Sequence, residues 1–458
     1  MSRSEETVLP LSIAMVSDFF FPKVGGVESN IYMLSQALIR RGHRVVVITH
    51  CYPPDRVGVR YLTSGLKAYY IPIHTIPPHS AHASLPQFFA LMPLLRSILI
   101  RESTDIIHGH GSLSSMACEA IISGGTMGVR AVLTDHSLFG LGGKGEMWGN
   151  KMLTAVLADT GAVICVSHTG KENTVLRASV DPRLVYVIPN AVVASSFMPD
   201  PSGSPGITNR ITIVCISRLV YRKGIDLLIG AVPRICAMHS EVDFLIGGDG
   251  PKIIELEQMR EKHQSLLANR VKLLGTVKHE DVRNLLVKGH IFLNSSLTEA
   301  FGIGILEAAC CGLFVVSTRV GGVPEILPDG LVAFAEPDTE DLVRALDVGI
   351  KHIISGQHDP QAVHKQVSQM YSWVDIAERT ENVYDDVLAA EYPSVIERLQ
   401  KYYGCGLYFG KILCIVLAVQ YMFLWLLEKF SPAENVDLAP HIKPLDLLKV
   451  NTSPKRSD

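Results

Sequence analysis

The sequence predicts an α/β protein of two successive Rossmann-like domains facing a cleft, with one membrane-crossing helix near the C-terminus. Three observations carry that expectation. Short apolar segments alternate with longer amphipathic ones through most of the 458 residues, the pattern of parallel strands covered by helices. Ala194 to Asn209 concentrates Pro, Gly, Ser and Asn without periodicity, as linkers do. Cys405 to Leu427 is apolar except for Lys411 and Gln420, about the length that spans a bilayer.

In the first run, strand-like pieces are Ile13–Val16, Val45–Thr49, Ala68–Pro72, Asp105–His108, Ala131–Thr134, Ala162–Val166 and Val185–Ile188. In the second they are Ile211–Ile216, Asp243–Gly247, Val271–Leu274, Ile291–Asn294, Leu313–Ser317 and Leu331–Ala333. The expected organisation is an N-terminal Rossmann-like domain (1–193), a linker (194–209) and a second Rossmann-like domain (210–370). Helices at 371–400 would pack back on the first domain, ahead of the span at 405–427 and a short tail at 428–458. Tyr402, Tyr403, Tyr408, Tyr421 and Trp425 suit interfacial anchoring at the span's ends, and Lys411 can snorkel; a buried core helix is the competing reading. The N-terminus carries two glutamates before an apolar run of only strand length, which does not read as a secretion signal. The Lys/Arg bias around the span favours a cytosolic main body.

A formal net charge of −3 with no clustered Lys/Arg run argues against a nucleic-acid partner. The nine cysteines form no CxxC pair and read as reduced, small core residues.

The chemistry gathers at strand ends. After the first strand come Asp18 and then Gly25-Gly26 opening a helix, where backbone N–H groups can approach a phosphate. No Gly-x-Gly-x-x-Gly follows, which removes the main support for a dinucleotide-dependent oxidoreductase. Arg218, Arg222 and Lys223 place cations past the first strand of the second domain, where they can hold a pyrophosphate and stabilise its charge as a leaving group. Gly248-Asp249-Gly250 is a tight turn with room beside it for a base or ribose. The most informative stretch is TEAFGIGILEAACCG, with Glu299 in a loop and Glu307 in a helix. Two carboxylates beside a phosphate-binding loop are costly unless hydroxyls donate to them, and sugar and ribose hydroxyls are natural donors. His108 and His110 alternate around Gly109 on one strand face. A metal pair is conceivable there, though no third ligand is evident nearby. Ser84 to Arg101 reads either as core or as a surface that dips into a membrane.

Taken together, Gly25-Gly26, Arg218 with Lys223, Gly248-Asp249-Gly250, Glu299 with Glu307, and TRVGGVPE resemble the retaining GT-B glycosyltransferases of family 4. Within that family the segments MVSDFFFPKVGGVES, TDHSLFG, ISRLVYRKGIDLL, GHIFLNSSLTEAF and STRVGGVPEILP, followed by one late span, are most similar to the enzymes that begin glycosylphosphatidylinositol anchors. The resemblance implies transfer of N-acetylglucosamine from UDP-GlcNAc to phosphatidylinositol with retained configuration. It implies that Arg218 and Lys223 bind the diphosphate, that Glu307 holds the ribose, and that Glu299 holds the transferred sugar. Backbone around Ala300, Phe301, Gly302 and Ile303 completes the sugar pocket, His136 reaches the reacting sugar, and Gly25 and Gly26 line the diphosphate or acceptor side, with Asp18 and His110 toward the acceptor. No metal or other cofactor is expected. Further subunits and an endoplasmic reticulum membrane location, with a cytosolic catalytic part and a lumenal tail, are implied as well. The alternatives are another lipid-linked transfer, such as mannose from GDP-mannose, and a non-catalytic scaffold that binds a nucleotide sugar.

Overall fold

The computed structural model describes residues 10–23, 25–52, 56–73, 86–140, 143–200 and 210–440. Residues 201–209 of the expected linker, Ser84 with Leu85, and the tail from 441 onward lie outside the described residues. The chain divides into two compact units, one of 1–165, 171–188 and 377–458, the other of 166–170 and 189–376.

Unit 1 is built on strands β1 (Ser12–Val16), β2 (Arg44–His50), β3 (Gly58–Tyr61), β4 (Lys67–Ile71), β5 (Ile106–His110), β6 (Arg130–Asp135), β7 (Ala162–Cys165) and β8 (Val185–Val187). Its helices are α1 (Gly26–Arg40), α2 (Phe88–Arg101), α3 (Ser115–Thr126), α4 (Lys144–Ala158) and α5 (His168–Ala178), the last starting in the other unit. The sheet order is β3-β4-β2-β1-β5-β6-β7-β8, parallel except for β3 against β4. SIAMV, IIHGH and AVIC are buried at every position, because a parallel sheet covered on both faces has no wet side. The exception is β3, exposed along its whole length at the sheet edge. Leu91, Leu95, Ile98 and Leu99 of α2 join the core over this sheet.

Unit 2 comprises β9 (Ile211–Ile216), α6 (Ile225–Met238), β10 (Val242–Gly247), α7 (Ile253–Lys262), α8 (Gln264–Leu267), β11 (Val271–Leu273), α9 (His279–Leu286), β12 (Ile291–Asn294), α10 (Ile303–Cys310), β13 (Phe314–Thr318), β14 (Val332–Ala335), α11 (Thr339–Ile354) and α12 (Pro360–Met370). Its sheet, β11-β10-β9-β12-β13-β14, is parallel throughout. Asp338 and Asp359 cap α11 and α12 by accepting from the first free N–H groups, and Pro360 takes the position where a missing N–H costs nothing. Each sheet has one point where strand order reverses: β1 against β5 in unit 1, β9 against β12 in unit 2.

The chain then returns to unit 1 through α13 (Trp373–Ala389), α14 (Val395–Tyr403) and α15 (Phe409–Phe430). Along α13, Glu381 pairs with Arg41 and His43, Tyr384 reaches His108, and Asp386 accepts from Tyr186. In α14, Arg398 grips Asp159 just past α4 through Nε at 2.8 Å and Nη2 at 2.6 Å, with both side chains only 1% exposed. Tyr402 donates to the same carboxylate, and Arg398 also reaches the Tyr421 hydroxyl at 2.6 Å.

The 22 residues of α15 are long and apolar enough to cross a membrane, and 22% of its 18-residue apolar window is buried, less than a core helix shows. The buried face carries Gly410, Leu413, Leu417 and Gln420, with Gln420 accepting from Thr126 at 2.8 Å. Tyr408, Ile412, Ile415, Met422 and Trp425 are exposed.

The Arg398–Asp159 pair yields a stability prediction. Arg398→Met leaves a buried, uncompensated carboxylate and is expected to cost about 3–5 kcal/mol. Adding Asp159→Leu should recover most of that loss, because the lone charge disappears with it. Thermal unfolding of the purified full chain and both variants in one detergent reads this out; a single variant as stable as the parent would refute it.

Candidate active site

In open α/β sheets ligands bind beyond the strand carboxyl ends, at the reversal of strand order. In unit 2 that place lies between the loops that leave β9 and β12. After Ile216 the chain passes Arg218 and turns through Tyr221–Lys223 into Gly224, whose φ of 65° is left-handed. A Cβ on Gly224 would fall 1.7 Å from the carbonyl oxygen of Ser295, so only glycine lets the two loops meet. They are joined by Leu297 N–H to Arg222 O at 2.9 Å and by Ser295 Oγ to Lys223 O, also 2.9 Å. Above this seam Lys223 Nζ lies 2.5 Å from Glu299 Oε2, with the two side chains 24% and 19% exposed and so within reach of a ligand. Glu299 also accepts from Ser296 Oγ at 3.3 Å. Arg218 is exposed and has no ion pair among the described residues.

The Gly248-Asp249-Gly250 turn sits beside Ser217. A Cβ on Gly248 would fall 1.8 Å from the Ser217 carbonyl oxygen, and Asp249 O accepts from Leu219 N–H at 2.8 Å. The Asp249 carboxylate accepts from Gly250 N–H at 2.7 Å and from Thr276 Oγ1 at 3.3 Å, which shapes the turn.

Ala300 and Phe301 are buried, and the Phe301 ring meets Tyr371 edge-on at 5.9 Å. What this stretch offers a ligand is therefore backbone: Gly302 and then the first N–H groups of α10, which carry the positive end of the helix. Glu299 is held in place as Gly322 N–H donates to its carbonyl at 3.0 Å. Within α10, Glu307 is partly buried with no hydrogen-bond partner among the described residues, and burial raises its pKa to about 7.

In unit 1 the reversal lies between β1 and β5. Asp18 is fully buried; it accepts from Ser114 Oγ at 2.8 Å and from Met116 N–H at 3.2 Å, at the start of α3. Gly25 is the extended N-cap of α1 and Gly26 its first residue. His110 is fully buried, with Nδ1 3.2 Å from His136 Nε2 and Nε2 3.4 Å from Met15 Sδ. His108 stacks on His110 at 4.2 Å and lies 2.7 Å from the Tyr384 hydroxyl and 2.6 Å from Thr134 Oγ1. Burial pushes the imidazolium form away in all three: to about 3 for His108, to about 4 for His136, and well below the usual value for His110. His136 is the one of the three with partial exposure. The acceptor-lining places expected of Asp18 and His110 are not supported by side chains that are sealed inside unit 1 and already engaged.

Several participants were not anticipated. Asn294 Nδ2 donates to Ser317 Oγ, Ser296 Oγ donates to Asn294 Oδ1, and Thr318 Oγ1 joins the same cluster by donating to Ser296 O. The sequon at Asn294 is thus a piece of the polar frame behind Glu299. Glu325 accepts from the N–H groups of His168 and Thr169 at 2.6 and 2.9 Å, a helix-capping task. The signal for the cluster was a run of small hydroxyl residues at the ends of two apolar strands; Tyr384 and Met15 gave none.

Unit 2 therefore presents an open cation, a Lys–Glu pair, a helix N-terminus and a carboxylate unpartnered among the described residues, which suit a diphosphate flanked by hydroxyl-bearing sugars.

Family comparison matches residues 50–143 to a model described as PIGA (GPI anchor biosynthesis) and residues 210–352 to glycosyl transferases group 1. The chain is 52% identical over 425 residues to the phosphatidylinositol N-acetylglucosaminyltransferase gpi3 subunit of Schizosaccharomyces pombe, covering 93% of this chain and 91% of that one. It is 49% identical over 430 residues to a subunit of the phosphatidylinositol N-acetylglucosaminyltransferase of Homo sapiens, covering 93% and 87%. Among solved structures, sucrose-phosphate synthase from Thermosynechococcus elongatus superimposes with a TM-score of 0.67 at 18% identity, covering 83% of this chain and 100% of that one. Anabaena Alr3699/HepE, solved with UDP, gives 0.62 at 17%, covering 82% and 100%. These structural likenesses establish the GT-B glycosyltransferase fold.

Glu307 supplies a pH prediction. A carboxyl whose pKa rises on folding binds more protons folded than unfolded, so its contribution to stability declines as pH rises from about 4.5 to about 7 and is constant above that. Glu307→Gln is expected to remove this decline in ligand-free protein. Unfolding curves for parent and variant across that range test it, and parallel pH profiles would refute it.

Proposed function

The chain belongs to the PIGA and GPI3 family of phosphatidylinositol N-acetylglucosaminyltransferase subunits, GT-B hexosyltransferases of the first step of GPI-anchor biosynthesis, and from that membership we propose how its residues divide the reaction. UDP-GlcNAc is the donor and phosphatidylinositol the acceptor. The observation that carries this reading is the Lys223–Glu299 pair at the strand reversal of unit 2, with Arg218 open beside it and Glu307 on α10 free of any partner among the described residues.

Arg218, Lys223 and the N–H groups at Gly302 and Ile303 hold the diphosphate. Glu307 accepts from the ribose hydroxyls, an interaction that favours its ionised form. Glu299 accepts from hydroxyls of the transferred sugar while Lys223 compensates its charge. Backbone at Ala300 and Phe301 closes the sugar pocket, and Gly248 with Asp249 shapes the wall beside the nucleotide. In unit 1, His136 is assigned to a hydroxyl of the reacting sugar and the Gly25-Gly26 helix start to the diphosphate or acceptor, while buried Asp18 and His110 act through the groups they hold.

The bond from the anomeric carbon to the diphosphate oxygen breaks as the inositol oxygen bonds to the same face. The inositol proton passes to the departing phosphate oxygen. Configuration is retained without a protein nucleophile in this scheme, in which Glu299 and Glu307 accept from hydroxyls and attack and departure share one face. The negative charge that builds on the departing diphosphate is met by Arg218, Lys223 and the start of α10, so the scheme invokes no metal.

The relatives are named as subunits, and the chain works as one subunit of a complex. Its apolar C-terminal helix supports membrane association. We place it in the endoplasmic reticulum membrane, single-pass, with the catalytic units cytosolic and the tail lumenal. On that topology Asn451-Thr452-Ser453 is open to glycosylation and Asn294 is not; a glycan on Asn294 would overturn it.

Membranes given phosphatidylinositol are expected to transfer label to lipid from UDP-N-acetylglucosamine and not from GDP-mannose; label from neither would favour a scaffold. At saturating donor, Arg218→Ala with Lys223→Ala should lower turnover by roughly 10²–10³-fold. Near-parental turnover in that variant would sink the leaving-group role.

A further inference from the structure

Met15 constrains where the protons sit on the stacked histidines of unit 1. A thioether sulfur has no proton to give. The approach of His110 Nε2 to Met15 Sδ at 3.4 Å is therefore favourable only with the proton on that Nε2. A neutral imidazole carries one N–H, so Nδ1 of His110 is then a bare acceptor. His136 Nε2 stands 3.2 Å from that atom, and a hydrogen bond there requires the proton on His136 Nε2. The other nitrogen of His136, Nδ1, is left as an acceptor. It has no partner among the described residues, and His136 is the one ring of the three that is partly exposed.

The ring of His110 has little freedom to escape this arrangement. His108 stacks on it at 4.2 Å with 26° between the planes, and His108 is itself clamped at both nitrogens by Tyr384 and Thr134. His110 and His136 are also near parallel, at 16°. Burial keeps the three rings neutral near pH 7, which is the state the proton count assumes.

We propose that His110 is a positioning residue: held by Met15 and by stacking on His108, it fixes His136 as the Nε2-protonated tautomer, whose Nδ1 accepts from a hydroxyl of the reacting sugars. This rests on the reading that His136 meets those sugars. It carries a specificity consequence, because a bare imidazole nitrogen rewards a hydroxyl at that point and offers nothing to a carbonyl or carboxylate. It also assigns His136 a hydrogen-bonding task rather than that of an acid.

The test uses the full chain in detergent with ¹⁵N-labelled histidine, the His136 signals being identified by their loss in His136→Gln. An unprotonated Nδ1 and a protonated Nε2 are expected. Met15→Leu conserves volume and leaves His110 without its acceptor, so mixed tautomers should appear at His136. The same variant should lower kcat by about 3- to 10-fold, the scale of one lost hydrogen bond, with KM for donor unchanged. In a His136→Asn background Met15→Leu should have no further effect, since His110 acts only through His136. A protonated Nδ1 on His136 in the parent, or a Met15→Leu variant with unaltered tautomer and kcat, overturns the inference. Wild-type turnover in His136→Ala would instead defeat the reading that His136 meets the sugars, while the nitrogen signals would still decide the tautomer.

Discussion

Parallel pairing sends every strand of a sheet to finish on the same edge, and a reversal of strand order leaves two neighbouring strand ends with no crossover between them. That constraint places everything else in unit 2. Because β9 and β12 are the pair at the reversal, Lys223 and Glu299 meet although 76 residues separate them. The seam under them is backbone and hydroxyl, closed only because position 224 carries no Cβ. A substitution at Gly224 therefore acts on the charges without touching them. Unit 1 repeats the logic with other chemistry: Ser17 Oγ donates to His110 O at 3.0 Å across its own reversal, and buried Asp18 fastens the start of α3 there.

The two glutamates of α10 and its leading loop show how environment separates identical side chains. Glu299 is engaged by Lys223 Nζ and Ser296 Oγ, so its carboxylate is already held by a cation and a hydroxyl. Glu307 sits in an apolar stretch with neither partner nor counter-ion among the described residues, so its free form is held near the point of protonation. Hydroxyl donors would offset that cost, and a ligand bearing them is the natural complement. Pairing Lys223 with Glu299 sets it apart from Arg218 and Arg222, which are exposed and have no ion pair among the described residues.

Much of this was legible in the sequence. All thirteen apolar segments read as strands overlap strands in the structure, because parallel strands buried on both faces leave an unambiguous apolar run. The strand that escaped notice, β3, is an exposed antiparallel edge without such a run. Motif residues were found where glycine and charge interrupt apolar segments. What pattern could not supply was depth. His110 and Asp18 look like site residues by position, yet both lie sealed beneath it, since alternation along a strand says which face a residue takes and not how many layers cover it. Gln420 looked like a tolerated polar break in a membrane helix; its bond to Thr126 depends on a helix 294 residues earlier.

That last contact belongs to a larger arrangement. The chain leaves unit 1, builds unit 2, and returns to place Tyr384 on His108, Arg398 on Asp159 and Gln420 on Thr126. One run of successive helices thus carries the hydroxyl that clamps the histidine stack, the guanidinium that neutralises a buried carboxylate, and the apolar helix suited to a membrane. Arg398 also reaches Tyr421 of α15, so the charge pair and the apolar helix share a hydrogen bond. Arg398 thereby links α15 to the helix that directly follows the one whose Tyr384 clamps His108. His110, the ring that contacts His136, is in this sense held from both ends of the sequence: by Met15 in the first strand and, through stacked His108, by Tyr384 in the returning helix.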